Sequence, residues 1–216
     1  ANDMSAKVQS GSNQQIVYVV DDDLSARESL CWLLNTEGIA TRAFASAEAC
    51  LEHWSSDWSG CITVDVRMPG KSGLQLQEEL NSRHNLLPVI VLTGHADVPI
   101  AIRAMKLGAY DFLEKPYSDS ELLACVKTAL ELGREINHAE LERNRAEIAI
   151  ANLTDREREV MCLVVEGNTN KAVAARLGIS EKTVEVHRSR VMEKTAASSL
   201  SDLVRICLML KEKLAL

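Results

Sequence analysis

"ITVDVRMPGKSG", residues 62–73, runs three apolar or β-branched residues into Asp65 and then breaks at Pro69 and Gly70. A carboxylate in that position either caps the turn or stands at the mouth of a sheet as a reactive group. Working outward, short apolar runs recur at 16–20 (IVYVV), 39–44 (IATRAF), 61–65 (CITVD), 88–93 (PVIVLT) and 110–114 (YDFLE). Between them lie segments of helical period, such as SARESLCWLLNTEG (25–38) and GLQLQEELNSRH (73–84). Three of the runs are almost continuously apolar, as strands covered on both faces are. The alternation predicts an α/β domain over residues 15–128, with a doubly wound, five-stranded parallel sheet.

A chain of 216 residues is long enough for two ordinary domains, and 46% hydrophobic with 25% charged content describes a globular protein. Aromatics make up 4%, so the cores must be mainly aliphatic. The net charge of −7 argues against a uniform coat for nucleic acid or anionic membrane. Residues 152–216, however, hold 11 Lys and Arg against 9 Asp and Glu, a net of +2, which leaves −9 on the rest. That split predicts two domains with different partners. The six cysteines (Cys31, Cys50, Cys61, Cys125, Cys162, Cys207) have no paired spacing and read as reduced core thiols, not a zinc site. No signal peptide or membrane-length apolar run is seen, and a cytoplasmic location is expected. Residues 1–14, small and polar, are read as a disordered N-terminus or a cloning remnant.

Beyond residue 128 the alternation stops. Ser118 and Glu121 form a capping box opening a long helix, expected to run on as a charged helical linker over 129–150. Residues 151–216 then read as an all-α, four-helix domain. TDRE (154–157) is a second capping box, EGNT (166–169) and LGIS (177–180) are breaks, and LSDLVRICLMLKEK (200–213) is an amphipathic last helix. NKAVAARLGISEKTVEVHRSRVMEK (170–194) reads as helix, turn, helix, with Gly178 ending the first and Ser180 capping the second. Val184 and Val191 point inward; Lys182, Thr183, Glu185, Val186, Arg188, Ser189 and Arg190 form a face suited to a major groove. Lys182, Arg188, Arg190 and Lys194 would neutralise phosphates, while Glu185 and Val186 would meet base edges. A small bundle with a solvated charged face fits the same residues.

In open α/β sheets, ligands bind at the carboxyl ends of the strands. Asp21, Asp22 and Asp23 fall there after the first strand, Asp65 after the third, Thr93 after the fourth and Lys115–Pro116 after the fifth. Crowded carboxylates call for a cation. Few protein oxygens plus water suit Mg²⁺, with Mn²⁺ as a substitute. Thr93 and Lys115 are poor Mg²⁺ ligands but good partners for phosphoryl oxygens. The set is equipment for forming an aspartyl phosphate. Each signal alone is an ordinary cap or turn; their coincidence at four strand ends carries the reading.

VYVVDDD (17–23), VDVRMPGKSG (64–73), VLTGHAD (91–97) and AYDFLEKP (109–116) resemble, in order and spacing, the signatures of two-component receiver domains across residues 15–128. The resemblance implies a flavodoxin- or CheY-like fold with Asp65 as phosphoacceptor. Asp22, Asp65 and the backbone carbonyl of Arg67 would bind the metal, and Asp21 would act through water. Thr93 would be the switch hydroxyl, Phe112 the switch aromatic and Lys115 a phosphoryl contact, with a cis Lys115–Pro116 bond. Residues 153–194 resemble the DNA-binding domain of LuxR-type regulators, and the TVEVHR core (183–188) is nearest the FixJ branch of the FixJ/NarL response regulators.

Together these imply a bacterial transcription factor and not a metabolic enzyme. A sensor histidine kinase would phosphorylate Asp65, and the homodimer so favoured would bind promoter double-stranded DNA. The last helix would supply dimerisation residues (Leu203, Cys207, Leu210), and RNA polymerase would be a further partner, with no membrane contact. A regulator working without phosphorylation is the alternative. An aspartyl-phosphate phosphotransferase is less favoured, because Arg67 stands where such enzymes carry a second acid.

Overall fold

Strands and helices alternate as read: β1 (Ile16–Val20), α1 (Leu24–Thr36), β2 (Ala40–Phe44), α2 (Ala47–His53), β3 (Gly60–Asp65), α3 (Gly73–Ser82), β4 (Val89–Thr93), α4 (Val98–Lys106), β5 (Asp111–Glu114) and α5 (Asp119–Ala151). The computed structural model describes residues 14–94 and 98–210, in two units divided between Asn137 and His138. Residues 1–13, within the stretch set aside above, lie outside the described residues.

In the first unit all five strands are parallel, in the order β2-β1-β3-β4-β5. Successive side chains alternate between two buried faces. Val17, Val19, Cys61, Ile90 and Leu92 pack with Leu30, Leu34, Leu122 and Val126 from α1 and α5. Tyr18, Val20, Ile62, Val64, Val89 and Val91 pack with Leu51, Leu74, Leu76, Leu80 and Ala104 from α2, α3 and α4. Each such aliphatic side chain contributes about 1.5–3 kcal/mol by leaving water. Burial pushes the Cys50 and Cys61 thiols up to about 12, which suits packed, protonated core thiols.

Two glycines allow close approaches at the start of β3, Gly60 to β1 and Gly133 of α5 to Gly60. Gly60 has φ +128°, where a Cβ would sit 1.9 Å from the Ile16 carbonyl oxygen, and a Cβ on Gly133 would sit 2.3 Å from the Gly60 oxygen. The early part of the linker segment is therefore packed on the first unit. Leu130 is buried, its carbonyl accepts from Gln15 Nε2 at 2.6 Å, and Asn137 Nδ2 donates to Ser59 Oγ at 3.2 Å. Further along the same helix, Ala146 and Ile150 belong to the core of the second unit.

That second unit adds α6 (Asp155–Val165), α7 (Asn170–Leu177), α8 (Glu181–Thr195) and α9 (Leu200–Met209). Thr154 and Glu157 form the capping box of α6, Gly178 ends α7 at φ +66°, and Ser180 caps α8. The dimerisation residues expected on α9 require correction. Leu203, Cys207 and Leu210 are 0%, 3% and 3% exposed, and they close the unit's own core against Val160, Met161 and Val184. A helix with an i, i+4, i+7 apolar stripe in so small a bundle must spend it internally. The outward apolar residues of α9 are Leu200, Leu208 and Met209.

Candidate functional site

Val20 of β1 and Val64 of β3 are register partners, so Asp21 and Asp65 leave the sheet side by side. Both are buried, at 3% and 8% exposure. Lys115, following β5, reaches back between them: its Nζ donates to Asp65 Oδ1 at 2.6 Å and to Asp21 Oδ2 at 2.9 Å. Backbone amides take the other carboxylate oxygens, Arg67 N–H on Asp65 Oδ2 at 2.7 Å and Asp23 N–H on Asp21 Oδ1 at 2.9 Å. The break after Asp65 has a local cause. The turn brings the Arg67 amide back onto the carboxylate, and Gly73 starts α3 where a Cβ would lie 2.3 Å from the Asp65 carbonyl oxygen.

Burial alone would pull the Lys115 pKa down; the hydrogen bonds it donates to Asp65 and Asp21 outweigh that and hold the ammonium above its ordinary value. Two carboxylates against one ammonium leave surplus negative charge, and exposed Asp22 adds to it at the rim. Asp23 instead caps α1, accepting from the Ser25 and Ala26 amides. These donors are all hard oxygens, the type that suits Mg²⁺. Among the described residues no three His, Cys, Asp or Glu side chains gather as a metal cage, which is compatible with an ion that keeps several waters.

Thr93 is buried one strand away, and its carbonyl accepts from the Lys115 amide at 2.6 Å. The Lys115–Pro116 bond is cis. Thr93, Phe112 and Glu114 form one wall of a groove of about 630 Å³, and exposed Val98, Ile102 and Met105 of α4 form the other. Those three were not singled out from the sequence, although their i, i+4, i+7 spacing was there to be read. Arg27 was also missed; its Nη1 donates to the Asp21 carbonyl at 2.5 Å. His95, two positions after Thr93 in the chain, lies outside the described residues.

On α8, Lys182, Glu185, Val186, Ser189 and Arg190 are exposed along one face. Thr183 and Arg188 are half-buried at its edge. Thr183 N–H donates to Ser180 Oγ at 3.1 Å, and Arg188 Nη1 donates to Asn170 Oδ1 at 3.1 Å. Lys194, expected at a phosphate, donates its ammonium to buried Glu157 at 2.6 Å and to the Asn152 carbonyl at 3.1 Å in the DNA-free protein. Desolvated Glu157 needs a cation, and Lys194 is the one it has found.

Comparisons with known proteins agree with this layout. Residues 17–127 match the response regulator receiver domain, and residues 151–207 match the bacterial regulatory proteins of the luxR family. The transcriptional regulatory protein FixJ of Azorhizobium caulinodans is 49% identical over 89% of this chain and 92% of its own. The solved structure of response regulator StyR is 40% identical, with a TM-score of 0.82 over 90% of this chain and 98% of that one. Full-length FixJ from B. japonicum is 38% identical, with a TM-score of 0.55 over 93% and 99%. Among the described residues no helix is long and apolar enough to cross a membrane. With a receiver domain, a LuxR-type DNA-binding domain and homology along both, the chain belongs to the FixJ-type response regulators, which are transcriptional regulators.

Proposed function

We propose that a sensor histidine kinase transfers a phosphoryl group to Asp65, and that the modified protein dimerises and binds promoter DNA through α8. The observation that carries this reading is the Lys115 ammonium, shared by two buried carboxylates that it cannot both neutralise. Asp22, Asp65, the Arg67 carbonyl and, through water, Asp21 would hold Mg²⁺, or Mn²⁺ in its place, and the ion would supply the missing positive charge.

An Asp65 carboxylate oxygen attacks phosphorus, the P–N bond of the phosphohistidine breaks, and the leaving imidazole nitrogen takes up a proton. Lys115, 2.6 Å from that carboxylate, then follows the negative charge onto the phosphoryl oxygens. The Thr93 hydroxyl bonds the same oxygens, and Phe112 shifts with it. Both residues line the groove beside α4, so its shape changes, and a second receiver covers its exposed apolar wall. In the DNA-bound dimer, Lys182, Arg188 and Arg190 meet phosphates, Glu185 and Val186 meet base edges, and Thr183 and Ser189 flank them.

On this reading residues 15–128 are the switch, 129–150 the connection and 151–216 the reader. The protein works in the bacterial cytoplasm, with RNA polymerase as its downstream partner, and turns over no metabolite. Intact mass after incubation with acetyl phosphate and Mg²⁺ tests it. One phosphoryl adduct is expected, dependent on the metal and absent from Asp65→Asn; an adduct on that variant would sink the assignment.

A further inference from the structure

The loop after Asp65 is held from outside by a residue that no reading of the acid cluster includes. Glu48 lies in the first turn of α2, and its Oε1 accepts the Lys71 N–H at 2.9 Å. Gly70, next to Lys71, has φ +75°, and a Cβ there would come within 2.8 Å of the same oxygen. The glycine therefore serves both the backbone turn and the close approach of the carboxylate. Glu48's own amide and that of Lys71 hold its carboxyl below the usual glutamate range, so it stays an ionised acceptor.

The same loop is tied at other points. The Arg67 amide bonds Asp65, Gly73 N–H donates to the Val66 carbonyl at 3.0 Å, Met68 is buried in the core, and the Lys71 ammonium pairs with Glu79. Between the Arg67 and Lys71 amides stand Pro69 and Gly70. Apart from buried Met68, Glu48 is the tie that α2 gives to this exposed reversal. Release at Lys71 would loosen Pro69 and Gly70 and leave the Arg67 carbonyl held only by the Arg67 amide before it and buried Met68 after it.

We infer that Glu48 is a positioning residue for the phosphorylation site, clamping the loop so that the Arg67 carbonyl stays aimed at the metal position beside Asp65. The inference rests on the proposed metal and phosphoacceptor reading. Glu48 touches neither metal nor phosphoryl group and acts through the backbone. Its influence is therefore that of one hydrogen bond, about three- to tenfold in an equilibrium constant.

The test is calorimetric Mg²⁺ binding to the full-length protein and to Glu48→Ala, Glu48→Gln and Asp65→Asn, with hydrogen exchange of the Lys71 amide measured without metal. Glu48→Ala should weaken Mg²⁺ binding about three- to tenfold and speed exchange at Lys71. Glu48→Gln retains an oxygen acceptor and should restore most of both. Unchanged Mg²⁺ affinity in Glu48→Ala, with Lys71 exchange accelerated, overturns the proposal and leaves Glu48 a loop stabiliser. If the unmodified protein binds no Mg²⁺, or Asp65→Asn binds it equally well, the underlying site reading fails and takes this one with it. Glu48 is exposed, so loss of folding is not expected, and matched thermal melts of the two Glu48 variants check that.

Discussion

Lys115 and Lys194 each hold an ammonium 2.6 Å from a buried carboxylate, one in each unit of the molecule. At Lys194 the charges balance. Glu157 also accepts the Thr154 amide at 2.9 Å, Lys194 also donates to the Asn152 carbonyl, and the pair fixes the end of α8 to the start of α6. At Lys115 one ammonium faces Asp21 and Asp65 together, with Asp22 at the rim. A balanced pair is structure. On the proposed function, the surplus acid holds a place for a cation and for an incoming phosphoryl group.

The largest expected effects come from changing that surplus. Asp65→Asn turns the first cluster into a balanced pair like the second: the phosphoryl adduct should vanish, while thermal stability should hold or rise. A marked fall in melting temperature would show that the cluster is structural after all. Lys115→Met does the reverse. It should slow adduct formation from acetyl phosphate by about 10², the worth of one preorganised donor to the transferred group. Mg²⁺ binding should not weaken, because only a competing cation has gone. A large loss of Mg²⁺ affinity would break the contrast.

Next in size is Lys194→Met, which leaves Glu157 buried and uncompensated; the second unit should melt several degrees earlier. Its pH dependence separates the two lysines. Lys194, then the Thr154 amide, hold the Glu157 carboxyl down to about 2. The pair therefore contributes fully above the ordinary glutamate value of about 4.3 and is lost as the pH falls through about 2. The raised Lys115 behaves oppositely: its contribution is complete below the ordinary lysine value of about 10.4 and is lost as the pH rises through its folded value. The stability difference between the unmodified protein and Lys194→Met should thus close toward acid, and that for Lys115→Met toward alkali. All three Trp lie in the first unit, so fluorescence follows that unit and far-UV circular dichroism follows both.

What the sequence made legible follows the same division. The strands could be read because both faces of the sheet are buried, and the acids because strand ends are where a parallel sheet puts its chemistry. Pairings across long separations could not. Glu48 with Lys71 and Glu157 with Lys194 join residues 23 and 37 apart, and no spacing rule relates them. In α9 the pattern gives an apolar helix but not which apolar residues the core takes, so Leu203, Cys207 and Leu210, expected at a dimer contact, are the ones buried. Nor does the sequence tell why Gly133 stands inside a long helix; its use is the 2.3 Å approach to Gly60 that a side chain would forbid.

The smallest effect concerns which lysine of α8 meets DNA. Lys182 is exposed, whereas the Lys194 ammonium is engaged by Glu157 and the Asn152 carbonyl. A phosphate contact releases about one counterion, so Lys182→Ala should lower the slope of log affinity against log salt by about 1. Lys194→Met, measured well below its melting temperature, should leave the slope unchanged even if affinity falls. A slope lowered equally by both would mean that Lys194 abandons Glu157 on the DNA, and that the balanced pair too is a switch.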